Sequence, residues 1–306
     1  MNSSDQLVQS TSRSTACGLK ASISPFRDYL SLIKPKVTFL VLIATALGCA
    51  MASSRIDWLI VLHTLLGTGM VAGGTATLNH YLERAYDGQM RRTSNRPLPS
   101  GRLTPGSVLN FGIGLSVLGT LYLAVLVNSL TSWIGLATLM SYLLVYTPLK
   151  RRSSLCTFIG AFPGAAPALM GWTGVRNSLS SEAWVLYAIL FIWQFPHFLA
   201  IAWMYRDDYA RAGMLMLPCN DVRGDIAFRR ILTFSLTLVP VSLIPSLLGM
   251  TGRLYFISAI VLGFGFLYFA FQASQYRTAV RARALLHASV IYLPLLYAAM
   301  MVNKLR

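Results

Sequence analysis

Charge is scarce in this 306-residue chain. Asp, Glu, Lys and Arg make up 12% of it, where a soluble domain carries about 25%, so a purely water-solvated fold is excluded. Acids are the scarcest class, 10 against 26 Lys and Arg, for a net charge of +16. Only four cysteines are present, Cys17, Cys49, Cys156 and Cys219, far apart and without a CxxC pair. That excludes a disulfide framework and a cysteine metal site. The N-terminal stretch MNSSDQLVQSTSRSTACGLKASIS has no apolar core of the kind a cleaved signal requires. Residues 1–27 are expected to be a disordered cytoplasmic tail. Ser-rich, acid-poor sequence also suits a mitochondrial transit segment, but a long amphipathic arginine face is missing. The expected location is a bacterial inner membrane, with the mitochondrial inner membrane as the alternative.

Apolar sequence is what the chain has in plenty: 55% hydrophobic residues and a mean hydropathy of +0.58. Runs long enough to cross a bilayer of about 30 Å fall near 37–53, 58–79, 105–127, 129–147, 154–174, 183–204, 230–250, 254–272 and 284–302. The pattern predicts an all-α membrane protein of about nine transmembrane helices, in one domain over 28–306. With the connections sorted by side, every Lys and Arg except Arg55, Arg176, Arg253, Lys304 and Arg306 lies on one face. The basic excess therefore reads as an N-inside, C-outside topology signal and not as a nucleic-acid surface. All acids but Asp57 and Glu182 share that face. Acids contribute little to topology, so their placement needs another cause.

They concentrate in two connections. After the second run comes NHYLERAYDGQMRRTSNRP, in which Asn79, Glu83 and Asp87 recur every four residues. A helix continuing past the membrane edge stacks these oxygen donors on one face. Such a set suits a hard cation such as Mg²⁺, which binds carboxylates together with substrate phosphates. Arg91, Arg92, Arg96 and Arg102 follow, and arginine forks bind phosphate oxygens. The bland reading is a surface helix with local pairs, Glu83 or Asp87 with Arg91. The second connection is YRDDYARAGMLMLP, where adjacent Asp207 and Asp208 call for a cation, or for Arg206 and Arg211.

The blocks NHYLERAYDGQMRRTSNRPLPSGR, YTPLKRRS, GAFPGAAPALMGWTG and QFPHFLAIAWMYRDDYARAGMLMLP resemble the protohaem IX farnesyltransferase branch of the UbiA superfamily of intramembrane prenyltransferases. The resemblance covers roughly residues 28–302. It implies nine helices around a central cavity, with two acidic motifs holding Mg²⁺ and a prenyl diphosphate. Asn79, Glu83 and Asp87 match the first motif and Asp207 and Asp208 the second, as catalytic and metal-binding positions. Arg92, Arg96 and Lys150 match basic positions near the diphosphate. Ala85 and Arg211 stand where the superfamily pattern would put further acids, so the resemblance leaves the number of metals open.

The implied reaction is farnesyl transfer from farnesyl diphosphate to a vinyl group of haem b, with water addition, giving haem O. The alternative acceptor is an aromatic quinone precursor, since the same motifs would serve it. The lipid bilayer is the solvent, and a haem A synthase or terminal oxidase assembly is a further expected partner. A transporter is disfavoured, because its charges would lie near the midplane.

His197, in QFPHF, is mid-membrane and a candidate for holding haem, with a helix-packing hydrogen bond as the competing role. His80 falls off the metal face by spacing and reads as interfacial. Tyr142 and Tyr146, one turn apart before Lys150, either line the cavity or form an interfacial aromatic belt, with the belt preferred, and Trp172, Trp193 and Trp203 read the same way. Gly160, Gly164 and Gly171 read as packing residues.

Overall fold

The computed structural model describes residues 25–53, 55, 57–217 and 221–305. The expected tail lies outside the described residues up to position 24. A helix that the hydropathy did not announce, α1 (Pro25–Leu32), begins there and takes in the last residues assigned to the tail.

The described chain is helical, with one isolated bridge between Thr251 and Lys304. The long elements are α2 (Pro35–Ala52), α3 (Trp58–Asp87), α4 (Pro105–Leu126), a broken helix over Ser129–Leu149, α7 (Cys156–Arg176), α8 (Ser181–Met204), α10 (Asp225–Leu247), α11 (Arg253–Tyr276) and α12 (Ala279–Val302). The broken helix comprises α5 (Ser129–Met140), a π-helical segment (Ser141–Tyr146) and α6 (Thr147–Leu149). A short α9 (Arg206–Arg211) follows α8.

Eight of these are long and apolar enough to cross a membrane, and the chain is an integral multi-pass membrane protein. The ninth, α7, is rich in Gly, Ala and Pro. Its mean apolarity is lowered by the small residues that let it run buried through the bundle, touching α2, α3, α5 and α8. Gly171 lies so close to the backbone of Thr45 on α2 that a Cβ would collide with its carbonyl oxygen. Gly160 and Gly164 are equally tight, against Tyr146 and Gln194, so the packing role expected of all three holds.

Local chemistry sets the ends. Asp57 caps α3 by accepting from the Leu59 and Ile60 amides, and Thr104 caps α4 ahead of Pro105. Asn128 accepts from the Thr131 amide at the start of α5. Neighbour packing runs α2, α3, α4, α5, α7, α8, α10, α11, α12 and back to α2, closing the bundle. Side chains such as Leu118, Leu121 and Val125 on α4 and Val261 and Phe264 on α11 stay exposed. In water they would form an aggregation-prone patch, and in a bilayer they meet lipid.

The expected aromatic belt is corrected. Trp172, Trp193 and Trp203 are buried, with Trp193 Nε1 donating to the Ser289 carbonyl and Trp203 Nε1 to that of Arg277. The exposed tryptophans are Trp58, Trp133 and Trp184. All three begin helices on the face opposite the acidic loops, where an indole can sit at the headgroup level.

Candidate active site

The last two turns of α3 form the expected face. Asn79, Glu83 and Asp87 are 1%, 7% and 0% exposed. Buried carboxylates need partners, and these come from elsewhere in the fold, not from Arg91. Lys150 Nζ donates to Glu83 Oε1 at 2.7 Å. Arg96 Nη1 donates to both Asp87 oxygens, at 2.8 and 2.7 Å. Lys34 Nζ donates to Asn79 Oδ1 at 3.0 Å, and Asn79 Nδ2 donates to Thr147 Oγ1 at 3.3 Å.

Lys34 was not anticipated. It caps α2 in a left-handed conformation, φ 48°, which turns the chain from α1 into α2. Nothing in the sequence around Pro35 marks it as a site residue. Burial, together with nearby Arg96 and Lys150, lowers its pKa to about 7. Burial also acts to lower Lys150, but Tyr146, Glu83 and Tyr142 outweigh it and hold the ammonium well above the ordinary lysine range. Three basic side chains thus meet two carboxylates here.

Tyr142 and Tyr146, read as belt residues, instead wall this cluster. The Lys150 ammonium lies 4.5 Å from the Tyr146 ring centroid and 6.0 Å from that of Tyr142. The π turn is what brings them there. Thr147 donates its N–H to the Tyr142 carbonyl, five residues back, a local departure common at functional sites.

The second acidic connection joins the same mouth but does not add its carboxylates to the first. Asp208 pairs with Arg211, and Asp207, whose side chain is 85% exposed, lies 3.8 Å from Arg206. These are the metal-free partners that the sequence offered. Among the described residues, no group of three or more Asp, Glu, His and Cys side chains is close enough to hold one ion. What links the loops is Arg92. Its guanidinium lies 4.8 Å from the Tyr205 ring centroid and donates to Tyr209 Oη at 3.1 Å. Met90 packs with Ala212 and Met214 beneath it, and the Leu215 amide donates to the Lys150 carbonyl at 2.6 Å.

His197 has its bonds within the helix packing. Nδ1 meets Ser289 Oγ at 2.7 Å and the ring stacks on Trp193, 4.8 Å between centroids. His80 is a correction. It is 3% exposed, enclosed by protein and not turned away from the site. Seven residues separate it from Asp87, nearly two full turns, so the two share a side of α3. A cavity of about 410 Å³ opens there, walled by Arg27, Lys34, His80, Arg92, Arg96 and Arg102 among others. Arg102 anchors α1 over it, with Nε 3.0 and 3.1 Å from the oxygens of buried Asp28.

Comparisons with known proteins agree with this architecture. The model of the UbiA prenyltransferase family matches residues 41–293. The protoheme IX farnesyltransferase of Solibacter usitatus is 49% identical over 288 residues, spanning 91% of this chain and 99% of that protein. The one from Koribacter versatilis is 42% identical, spanning 92% and 94%. Among solved structures, digeranylgeranylglyceryl phosphate synthase superposes with a TM-score of 0.75 at 18% identity, covering 91% of this chain and 98% of that one. A UbiA homologue from Archaeoglobus fulgidus bound to DMAPP and Mg²⁺ superposes with a TM-score of 0.64 at 15% identity, covering 90% and 99%. With a bundle of nine long helices among the described residues, a buried acidic face at one membrane edge and this degree of identity, the chain belongs to the UbiA prenyltransferase family, among its protohaem IX farnesyltransferases.

Proposed function

We propose that the chain transfers the farnesyl group of farnesyl diphosphate to a vinyl group of haem b, with addition of water, giving haem O. The Solibacter and Koribacter relatives, similar over nearly their whole length, are named protoheme IX farnesyltransferases. The observation that carries the site assignment is the buried α3 face, Asn79, Glu83 and Asp87, held against Lys34, Arg96 and Lys150.

This face fits a divalent cation and a diphosphate together. Its donors are hard oxygens, and its basic side chains outnumber its carboxylates. A diphosphate carries more negative charge than one Mg²⁺ cancels, so the pair would neutralise the surplus. Asn79, Glu83 and Asp87 would hold the ion. Asp207 and Asp208 would join only by exchanging Arg206 and Arg211 for it. When bound, Mg²⁺ supplies positive charge to the departing diphosphate.

The protein's own groups do the rest. Lys34, Lys150 and Arg96 stand where negative charge develops as the carbon–oxygen bond of farnesyl diphosphate breaks, and they are oriented before the reaction begins. An incoming anion favours the charged form of Lys34, whose pKa burial lowers to about 7. Arg92, stacked between the loops, closes the mouth on the diphosphate. The electron pair leaves with the diphosphate. The vinyl π electrons attack the allylic cation, water adds to the resulting carbon, and a proton is released. Bulk water would quench the first cation, so the reaction needs the apolar interior below the face. The Lys and Arg asymmetry supports a mouth on the cytoplasmic side, and a bacterial plasma membrane is the location this reading takes.

The test is to incubate purified, detergent-solubilised protein with haem b, farnesyl diphosphate and Mg²⁺, with and without chelator, and to weigh the extracted haem by mass spectrometry. A Mg²⁺-dependent gain of one farnesyl group plus water is expected. Unchanged haem, with an aromatic acid prenylated instead, would overturn the acceptor.

A further inference from the structure

The cavity beside the α3 face holds one group that neither the metal nor the charge balance explains. Of its cationic walls, Arg96 is committed to Asp87 and Arg102 to Asp28. Among the described residues, Arg27, Lys34 and Arg92 have no carboxylate within ion-pair distance. His80 completes the wall. It is 3% exposed, and neither of its ring nitrogens has a hydrogen-bond partner. Buried polar atoms in folded proteins are nearly always bonded. The surrounding Lys and Arg groups are donors with no acceptor to offer. His80 lacks a partner altogether, while Lys34 and Arg92 donate only to the neutral oxygens of Asn79 and Tyr209, and the cavity has room for an oxygen bearing negative charge.

We propose that His80 is a substrate-contacting residue, its ring N–H donating to an oxyanion that sits in this cavity with Lys34 and Arg92 supplying the charge. The inference rests on the reading above for the identity of the oxyanion, since both of its substrates bring one. Farnesyl diphosphate brings its diphosphate, and haem b brings two propionate carboxylates. An imidazole suits either, because its ring N–H is a directed donor.

The experiment compares the full-length wild type with His80→Leu and His80→Gln, purified in detergent. KM is measured for farnesyl diphosphate, for haem b and for the dimethyl ester of haem b. Binding of inorganic diphosphate is measured by calorimetry in the presence of chelator. Losing a hydrogen bond to a charged group should weaken binding by roughly tenfold to a hundredfold. His80→Leu is expected to raise one KM by that factor with kcat nearly kept, and His80→Gln, which retains a donor, to recover most of it. If the oxyanion is the diphosphate, KM for farnesyl diphosphate and the Kd for inorganic diphosphate rise together. If it is a propionate, KM for haem b rises while the ester, bound weakly by wild type, is indifferent to the substitution.

No change in either KM or in the Kd, in a variant that melts like wild type, overturns the inference. Should His80→Leu fail to fold, His80→Phe, which keeps a flat ring without a donor, is read on the same constants. It is expected to raise the same one, and no effect there would overturn the inference equally. A wild type that prenylates something other than haem sinks the acceptor assignment, while the inorganic diphosphate measurement still tests His80.

Discussion

Replacing Lys150 by Met should both destabilise the protein and stop turnover, and the two effects can be separated. The Lys150 and Glu83 side chains are 10% and 9% exposed, 2.7 Å apart. Removing one member of a buried ion pair typically costs about 3–5 kcal/mol, chiefly because the remaining charge is left in a low-dielectric site. Lys34, on the same face, recovers part of that by attracting Glu83, so the lower end of the range is expected. The backbone is spared, since the Leu215 amide bonds to the Lys150 carbonyl and not to its side chain. The double variant Lys150→Met with Glu83→Gln removes both charges and should regain most of the lost stability, giving a coupling energy of about 2–3 kcal/mol. Neither variant should regain activity, because loss of a preorganised electrostatic group typically costs about 10²–10³ in kcat. The assays are apparent melting temperature in detergent and farnesyl transfer at saturating substrate. A single variant as stable and active as wild type, or a double variant that turns over normally, would refute the reasoning.

Asp87→Asn should lower turnover by about 10²-fold and raise the Mg²⁺ concentration needed for half-maximal rate, read in a metal titration. Arg92→Lys keeps the charge but loses the stack on Tyr205 and the bond to Tyr209. A cation–π contact of about 1 kcal/mol predicts a several-fold rise in KM for farnesyl diphosphate with stability unchanged. Gly171→Val puts a branched side chain against the Thr45 carbonyl and should prevent α2 and α7 from meeting, seen as loss of folded protein on gel filtration. Labelling of Arg55→Cys and Arg91→Cys in intact membranes should occur from opposite sides.

The helical bundle was readable because a bilayer imposes length and apolarity on every span, and only α7 blurs the signal by trading apolar bulk for close approach. The stacking of Asn79, Glu83 and Asp87 was readable because helix periodicity is local. Their partners were not. Glu83 lies 67 residues from Lys150 in sequence, and short-range spacing pointed to Arg91 instead. Lys34 enters the site through a left-handed turn, and Tyr142 and Tyr146 through a π turn, neither of which has a sequence pattern distinct enough to announce it. The tryptophans misled for a different reason. An amphipathic indole suits a headgroup region and a buried carbonyl partner equally well, so only the packing tells Trp193 from Trp184. His80 was within reach, since its seven-residue offset from Asp87 marks a shared side of the helix, even though it stands about 100° around the helix from its neighbour Asn79.

The most direct test of the central claim, that the α3 face is the metal and diphosphate site, is a structure of the protein with Mn²⁺ in place of Mg²⁺ and a non-hydrolysable farnesyl thiodiphosphate, read by anomalous scattering. The account predicts a manganese peak within ligand distance of Glu83 and Asp87, with the diphosphate between it and Lys34, Arg96 and Lys150. A peak at Asp207 and Asp208 alone, with the Glu83–Lys150 and Asp87–Arg96 pairs intact, would contradict it.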